Sequence, residues 1–198
     1  MNILILSTSP RHGSLTFRFC TYLKQEIQKQ FPESHSELIN FAEFDISPFG
    51  KGSFPSNPIS PFQEKLIGLW ESADLIFFCS PEYNWTASAE TFILLERLGG
   101  RAHINFFQNK VFALAGVSSG RGGRQPALDM GRVLSKIIGF LGTESVVSPK
   151  ILEVHEVGGN LDENGQSAGH LAFEGSVSSF VEYSLKMAKR WKSSKAID

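Results

Sequence analysis

Three short stretches of this chain carry residue types suited to holding an anion and a flat ring. The first, Ser7-Thr8-Ser9-Pro10-Arg11-His12-Gly13-Ser14-Leu15-Thr16, offers four hydroxyls and a cation just before a helix start. Hydroxyls, a guanidinium and the unpaired backbone N–H groups of a helix N-terminus are the groups a phosphate needs. A Ser/Thr-capped helix start is the ordinary reading of such a loop, but Arg11 and the position after a strand favour the anion. The second stretch, Pro81-Glu82-Tyr83-Asn84, follows the apolar run Leu75-Ile76-Phe77-Phe78-Cys79 between Asp74 and Ser80. That run is too short for a helix and suits a strand buried on both faces, so the loop stands at a strand's carboxyl end. The third, Ser118-Ser119-Gly120-Arg121-Gly122-Gly123-Arg124, has few Cβ atoms in the way of a ring laid against its backbone; a flexible turn explains it equally well.

The first stretch is neither a Walker loop, since no Gly-Lys-Ser/Thr closes it, nor a G-x-G-x-x-G turn, since Gly13 is its one glycine. A pyrophosphate needs glycines so that the backbone can come close, whereas a hydroxyl-rich pocket wraps the oxygens of a terminal monophosphate.

The elements that must position these loops alternate. Residues 2–7 read as a strand, and 15–30 as a helix with Phe19, Leu23, Ile27 and Phe31 at helical spacing and Pro32 as its stop. A weak strand is expected at 37–40. The connection 41–61 holds Pro48, Pro55, Pro58, Pro61, Gly50 and Gly52; it is a lid or, the favoured reading, a cover in which Phe44, Phe49 and Phe54 lie on an edge of the core. Then follow a helix over 61–72, a strand over 73–79, a helix over 88–98 and a strand over 110–117. The helix expected over 125–141 puts Leu128, Val133, Leu134, Ile137 and Ile138 on its buried side. A fifth strand starts at 144–147, and a last helix covers about 171–191. Alternation of this kind predicts an α/β, three-layer, doubly wound fold with a five-stranded parallel sheet in the flavodoxin-like order 2-1-3-4-5, as one domain over 1–198. In that order the loops after the first and third strands part to leave a crevice, with 118–123 beyond it.

Size and composition agree with this. A chain of 198 residues buries roughly 70% of its unfolded surface without help from metals or disulfides. Formal net charge is -1, and Lys and Arg are scattered except for the 186–195 cluster, which reads as a solvated helix end; nucleic acid is not an expected partner. Cys20 and Cys79 fall in core segments with no C-x-x-C pair, the apolar start Ile3-Leu4-Ile5-Leu6 is too short for a signal core, and no run approaches membrane-spanning length. A cytoplasmic protein without membrane partners is expected. His12, His35, His103, His155 and His170 are dispersed, so no metal site is expected; His12 supports the phosphate or points to solvent.

On these motifs the chain resembles the NADPH-dependent FMN reductase family of flavodoxin-like flavoproteins, relatives of the NAD(P)H-dependent quinone, azo and chromate reductases. The family's first loop reads G-S-x-R-x-x-S-x-N, matched by Thr8 to Thr16 with Thr8 for Gly and Thr16 for Asn; its second, P-E-Y-N, is matched completely by Pro81, Glu82, Tyr83 and Asn84. Asp45-Ile46-Ser47-Pro48, Ala73-Asp74, the 118–123 loop, Leu134 and the turn Leu161-Asp162-Glu163-Asn164-Gly165 add to the similarity. The resemblance implies FMN as cofactor, with NADPH or NADH as electron donor. It implies that Ser9, Arg11, Ser14, Leu15 and Thr16 hold the phosphate. Pro81, Glu82, Tyr83 and Asn84, with Trp85 beside them, then meet the ring edge and ribityl chain, and Ser118, Gly120 and Gly123 the pyrimidine end. Backbone N–H groups of the third loop would stabilise the charge of reduced flavin near N1, so no catalytic side chain is expected. The resemblance also implies a small-molecule electron acceptor and a homodimer or homotetramer.

The departures from the pattern are local. The family continues P-E-Y-N with a small residue and S-x-P-G-x-L-K-N-A-I-D-W, where this chain has Trp85-Thr86-Ala87-Ser88-Ala89-Glu90-Thr91-Phe92-Ile93-Leu94-Leu95-Glu96-Arg97. Trp85 stacks near the ring or, the safer reading for a large indole, fills space between helix and loop. Two rivals stand beside the reductase. Gly116-Val117-Ser118-Ser119-Gly120 fits the G-x-S-x-G pattern of a serine hydrolase, with Asp162 and His170 in the right chain order, but Arg121, Gly122, Gly123 and Pro126 come where a nucleophile elbow enters its helix. A flavodoxin-type electron carrier without turnover would be more acidic and have a T-x-T-G-x-T first loop.

Overall fold

The apolar run that frames the second loop is a strand with every residue buried, β3 (Leu75–Pro81). On either side of it lie β1 (Asn2–Ser7) and β4 (Val111–Val117), the latter also buried throughout. The computed structural model describes residues 1–194; Lys195, the last residue of the basic cluster, lies outside them. With β2 (His35–Asn40), β5 (Val146–Val147) and β6 (Leu152–Val154), the sheet runs β2-β1-β3-β4-β5, and β6 also pairs with β4. Every strand pair is parallel.

The helices are α1 (Leu15–Gln30), α2 (Pro61–Ser72), α3 (Ala89–Leu98), α4 (Arg124–Leu141), the short α5 (Val157–Asn160) and α6 (Leu171–Ser193). Successive side chains of a strand point to opposite faces, which sorts the core into two layers. Leu75, Phe77 and Cys79 pack with α1 and α6, while Ile76 and Phe78 pack with α2, α3 and α4. Trp70 anchors the second layer, with edge contacts to Phe78, Phe106 and Phe107 and its Nε1 donating to the Phe106 carbonyl at 2.6 Å.

Sheet order and helix order match the sequence reading; its details differ in instructive places. β3 continues through Pro81, because Pro81 stands beside Val117 in the ladder and Glu82 N bonds the Val117 carbonyl at 2.9 Å. The second loop therefore begins at Glu82. The edge position is an interrupted strand: Val111 faces Val146, but Ala115 faces Leu152, so the edge chain gains two residues between them. Pro149 lies in that interval and has no N–H to give to a ladder. Leu128 is 44% exposed, not buried. The stripe of α4 that meets the sheet is Pro126, Ala127, Met130, Leu134 and Leu141, and Leu128 follows Ala127 by one position, about 100° around the helix. In the long 41–60 connection, Phe44 and Phe54 do cover the core, whereas Phe49 is 74% exposed. That connection is tied down by Gln63, which receives Ser56 N at 2.8 Å and donates to Asp45 at 3.2 Å, and by Arg97, which donates to the Gly52 carbonyl at 2.6 Å. No helix among the described residues is long and apolar enough to cross a membrane.

Candidate functional site

The three loops meet at the carboxyl end of the sheet. Loop one leaves β1 with Thr8 N bonded to the Cys79 carbonyl at 2.9 Å, so it starts pinned to β3. It ends at Ser14, the N-cap of α1, whose hydroxyl accepts from Phe17 N at 3.1 Å. Leu15 and Thr16 are the first two residues of the helix, where amides have no intrahelical acceptor and the helix dipole favours an anion. Ser9 Oγ lies 2.9 Å from the Tyr83 hydroxyl, and the Arg11 guanidinium sits over the Tyr83 ring, 4.4 Å from its centroid. Loops one and two are thus joined through Tyr83, and the cation is held at the cleft by the ring quadrupole.

Loop two is a tight hairpin. Tyr83 and Thr86 exchange backbone hydrogen bonds of 3.0 and 3.1 Å, with Asn84 (φ 47) and Trp85 (φ 62) as the two turn residues. Two successive left-handed residues are the geometry of a type I′ turn, for which Asn-Gly is the ordinary choice. Here Trp stands in the glycine place, and its indole is turned out, 79% exposed. Space-filling between helix and loop, the safer reading of Trp85, is thereby corrected: the turn geometry aims the side chain away from the core. Thr86 fastens the hairpin to α4 through a 2.8 Å hydrogen bond to Asp129.

Loop three is built around the Glu82 carboxylate. Its Oε2 accepts from Gly123 N at 2.8 Å, and a Cβ on Gly122 would stand 1.7 Å from that same oxygen. Behind it, a Cβ on Gly116 would stand 1.8 Å from the Gly123 carbonyl oxygen. The glycines therefore serve close backbone approach more than flexibility. Gly120 N bonds the Ser118 hydroxyl at 3.2 Å and Gly122 N bonds His155 Nδ1 at 3.2 Å. The amides of Gly120, Gly122 and Gly123 are therefore engaged within the protein. Among the described residues, those of Ser119 and Arg121 have no protein acceptor.

Between the loops lies a cleft of about 340 Å³ lined by Ser9, Arg11, His12, Gly13, Ser14, Leu15, Thr16, Pro81, Glu82, Tyr83, Val117 and Ser119. All five residues expected at the phosphate are among them, with three of the four P-E-Y-N residues. Asn84 and Trp85 stand on the hairpin tip outside it, and Ser118, Gly120 and Gly123 form the wall behind Ser119. The donor set fits FMN: residues 7–16 contain no carboxylate, the one carboxylate in the lining is already bonded to Gly123 N, and the buried Ser7 hydroxyl below the loop has no partner. A larger cleft, about 430 Å³, runs along β6 and the start of α6; its carboxylates, Glu153 and Glu156, are paired with Arg124 at 3.0 Å and Arg121 at 3.9 Å.

The hydrolase reading finds no geometry. Asp162 Oδ1 accepts from the amides of Asn164 and Gln166 at 2.8 Å, His170 lines the other cleft, and no hydrogen bond among the described residues joins either to Ser118. Cys79 offers no nucleophile, since burial pushes its thiol pKa well up, with the adjacent Cys20 adding to the effect. No cluster of His, Cys, Asp and Glu that could hold a metal occurs among the described residues.

Sequence reasoning missed Val117 and Ser119 as lining residues. It also missed a set of buried hydroxyls, Thr8, Ser80, Ser88 and Thr91, beneath the first two loops. For Thr8, Ser88 and Thr91 the signal was present in the positions where the chain departs from the family pattern.

Among solved structures, FerB, a flavoenzyme NAD(P)H:(acceptor) oxidoreductase from Paracoccus denitrificans, superposes with a TM-score of 0.68 at 17% identity, over 93% of this chain and 97% of that one. RosB with bound 8-demethyl-8-formylriboflavin-5'-phosphate gives 0.66 at 16% identity, over 97% and 80%. An NADPH-quinone reductase from P. pentosaceus gives 0.57 at 14%, over 93% and 98%. At such identities the likeness is one of fold. No curated protein sequence matches the chain. A sequence profile does: its match spans residues 1–149, from β1 past β5 and through all three loops, and by it the chain belongs to the NADPH-dependent FMN reductase family.

Proposed function

We propose that this protein is an FMN-containing oxidoreductase that takes hydride from NADPH or NADH through flavin N5 and passes it to free flavin, a quinone or a similar small acceptor. The observation that carries the reading is the convergence of Ser9, Arg11, Ser14, Leu15, Thr16 and Tyr83 on one cleft at the N-terminus of α1. FMN, when bound, supplies the hydride chemistry at N5. The chain's own residues bind and orient. Arg11, the Ser9 and Ser14 hydroxyls and the amides of Leu15 and Thr16 hold the phosphate dianion. Pro81, Glu82, Tyr83 and Asn84 set the plane of the ring, and Trp85 stands at its exposed side. The amides of Ser119 and Arg121 are the donors left for negative charge at the pyrimidine end, with Ser118, Gly120 and Gly123 shaping the backbone around them. The Glu82 carboxylate fixes that backbone by its bond to Gly123 N.

A cytoplasmic homodimer or homotetramer, folded as one domain, completes the proposal. The family and the fold support it at the level of an NAD(P)H-dependent flavin reductase. Anaerobic mixing of the FMN-loaded protein with NADPH, and separately with NADH, tests it. Bleaching of the flavin band by either nucleotide, followed by recovery on adding quinone or free FMN, is the expected result. A flavin band that neither nucleotide changes would leave a binding module or electron carrier instead.

A further inference from the structure

Three of the chain's departures from the family pattern meet in one buried place. Where the pattern has Gly, Pro and Leu, this chain has Thr8, Ser88 and Thr91. Thr91 Oγ1 donates to Thr8 Oγ1 at 2.6 Å, and Thr8 Oγ1 donates in turn to the Cys79 carbonyl at 3.2 Å. Ser88 Oγ, 2.9 Å from Thr91 Oγ1, donates to the Thr8 carbonyl at 2.7 Å. Ser80 Oγ accepts from Ser88 N at 3.1 Å and donates to the Pro81 carbonyl at 3.0 Å. Thr8, Ser80 and Thr91 are wholly buried and Ser88 is 1% exposed. Each hydroxyl proton has an acceptor, so deleting one hydroxyl leaves a buried polar atom short of a partner, which is the costly case.

The members lie beneath the cleft and join segments that lead to different loops. Thr8 directly precedes Ser9 in the phosphate loop, while Ser88 and Thr91 belong to the start of α3, just after the hairpin that carries Tyr83. The cluster therefore fixes the separation between the loop read as holding the phosphate and the loop read as holding the ring. Resting on the reading of the site as an FMN cleft, we propose that Thr8, Ser88 and Thr91 are positioning residues whose lock sets the preference of this site for phosphorylated flavin over riboflavin. A ligand gripped at both ends depends on the spacing of the two loops. One gripped at the ring alone does not.

The test compares calorimetric titrations of FMN and riboflavin into wild type, Thr91→Val and Thr91→Ser. Val keeps the shape and removes the hydroxyl; Ser keeps the hydroxyl. The lock predicts that Thr91→Val loses about tenfold in FMN affinity, the scale of one buried hydrogen bond, with riboflavin changed by less than about threefold and Thr91→Ser close to wild type. Should Thr91→Val not fold, Ser88→Ala removes the bond to the Thr8 carbonyl and must show the same selective loss. Equal weakening of both flavins, or no weakening of FMN, overturns the lock. Wild type that binds neither flavin would instead overturn the FMN reading itself.

Discussion

The two rims of the sheet are built to opposite ends. At the amino rim charged groups tie strand ends to helix ends, although the Ser36 and Thr143 hydroxyls there have no partner and Asn109 (φ 54) is left-handed. Asp74 receives Asn2 N at 2.8 Å and Lys192 Nζ at 2.9 Å on both oxygens, and its carbonyl accepts from Val111 N. Lys110, 3% exposed, donates to the carbonyls of Glu71 and Ala73 at 2.9 Å, holding the end of α2 to the start of β4. The carboxyl rim carries left-handed Asn84, Trp85 and Glu156, a solvent-facing indole and the unpartnered Ser7 hydroxyl. At one rim a buried lysine and an ion pair secure the fold, whereas at the other the loops part around an open cleft.

Substitutions at the two rims should have separable effects on stability and on FMN binding. The largest effect is expected for Gly116→Ala, whose Cβ would meet the Gly123 carbonyl at 1.8 Å, backbone against backbone. It should cost about 3 kcal/mol in denaturant unfolding and weaken FMN binding together, because loop three must move. Arg11→Ala should weaken FMN by about 1.5 to 3 kcal/mol in calorimetric titration, barely touch riboflavin and leave unfolding nearly unchanged. A large stability loss there would mean that Arg11 serves the fold as Lys110 does.

Lys110 gives the amino-rim counterpart through pH. Burial lowers its pKa to about 8, against the opposing pull of Asp74 and Glu71. Its folded value lies below its ordinary one, so between them the unfolded chain binds more protons and stability rises with pH. The penalty is present in full below pH 8 and fades as pH rises through 10.5. Relative to Lys110→Met, the wild type should gain about 2 kcal/mol over that window, allowing for residual solvent around the ammonium. FMN affinity of the two proteins should stay equal at pH 7. The smallest effect is expected for Trp85→Gly, which relieves the left-handed strain and should stabilise the protein by about 1 kcal/mol. Destabilisation in thermal unfolding would show that the indole serves packing after all.

How much of this was legible in the sequence follows from which forces are local. The five-position strand order came from apolar runs and helix periodicity, and α1 and α2 begin and end where Ser14, Ser60, Pro61 and Pro32 put caps and stops. The first loop was legible as one cleft wall because its hydroxyls and Arg11 lie in nearby residues. Loop three was legible only in part, since Glu82 and His155, distant in sequence, take its Gly123 and Gly122 amides. Leu128 and Trp85 were misplaced for the same reason in miniature: one position around a helix, or one left-handed turn residue, moves a side chain from core to solvent. The hydroxyl cluster joins residues 83 apart in sequence at its Thr91–Thr8 bond, so its separate departures from the family pattern do not read as one feature in the sequence.

A crystal structure grown in excess FMN should show a flavin across the three loops, with the phosphate at the N-terminus of α1 against Arg11 and Ser14 and the ring along the hairpin that carries Tyr83. A cleft left empty there, or flavin bound instead in the cleft beside β6, would contradict the proposed FMN site.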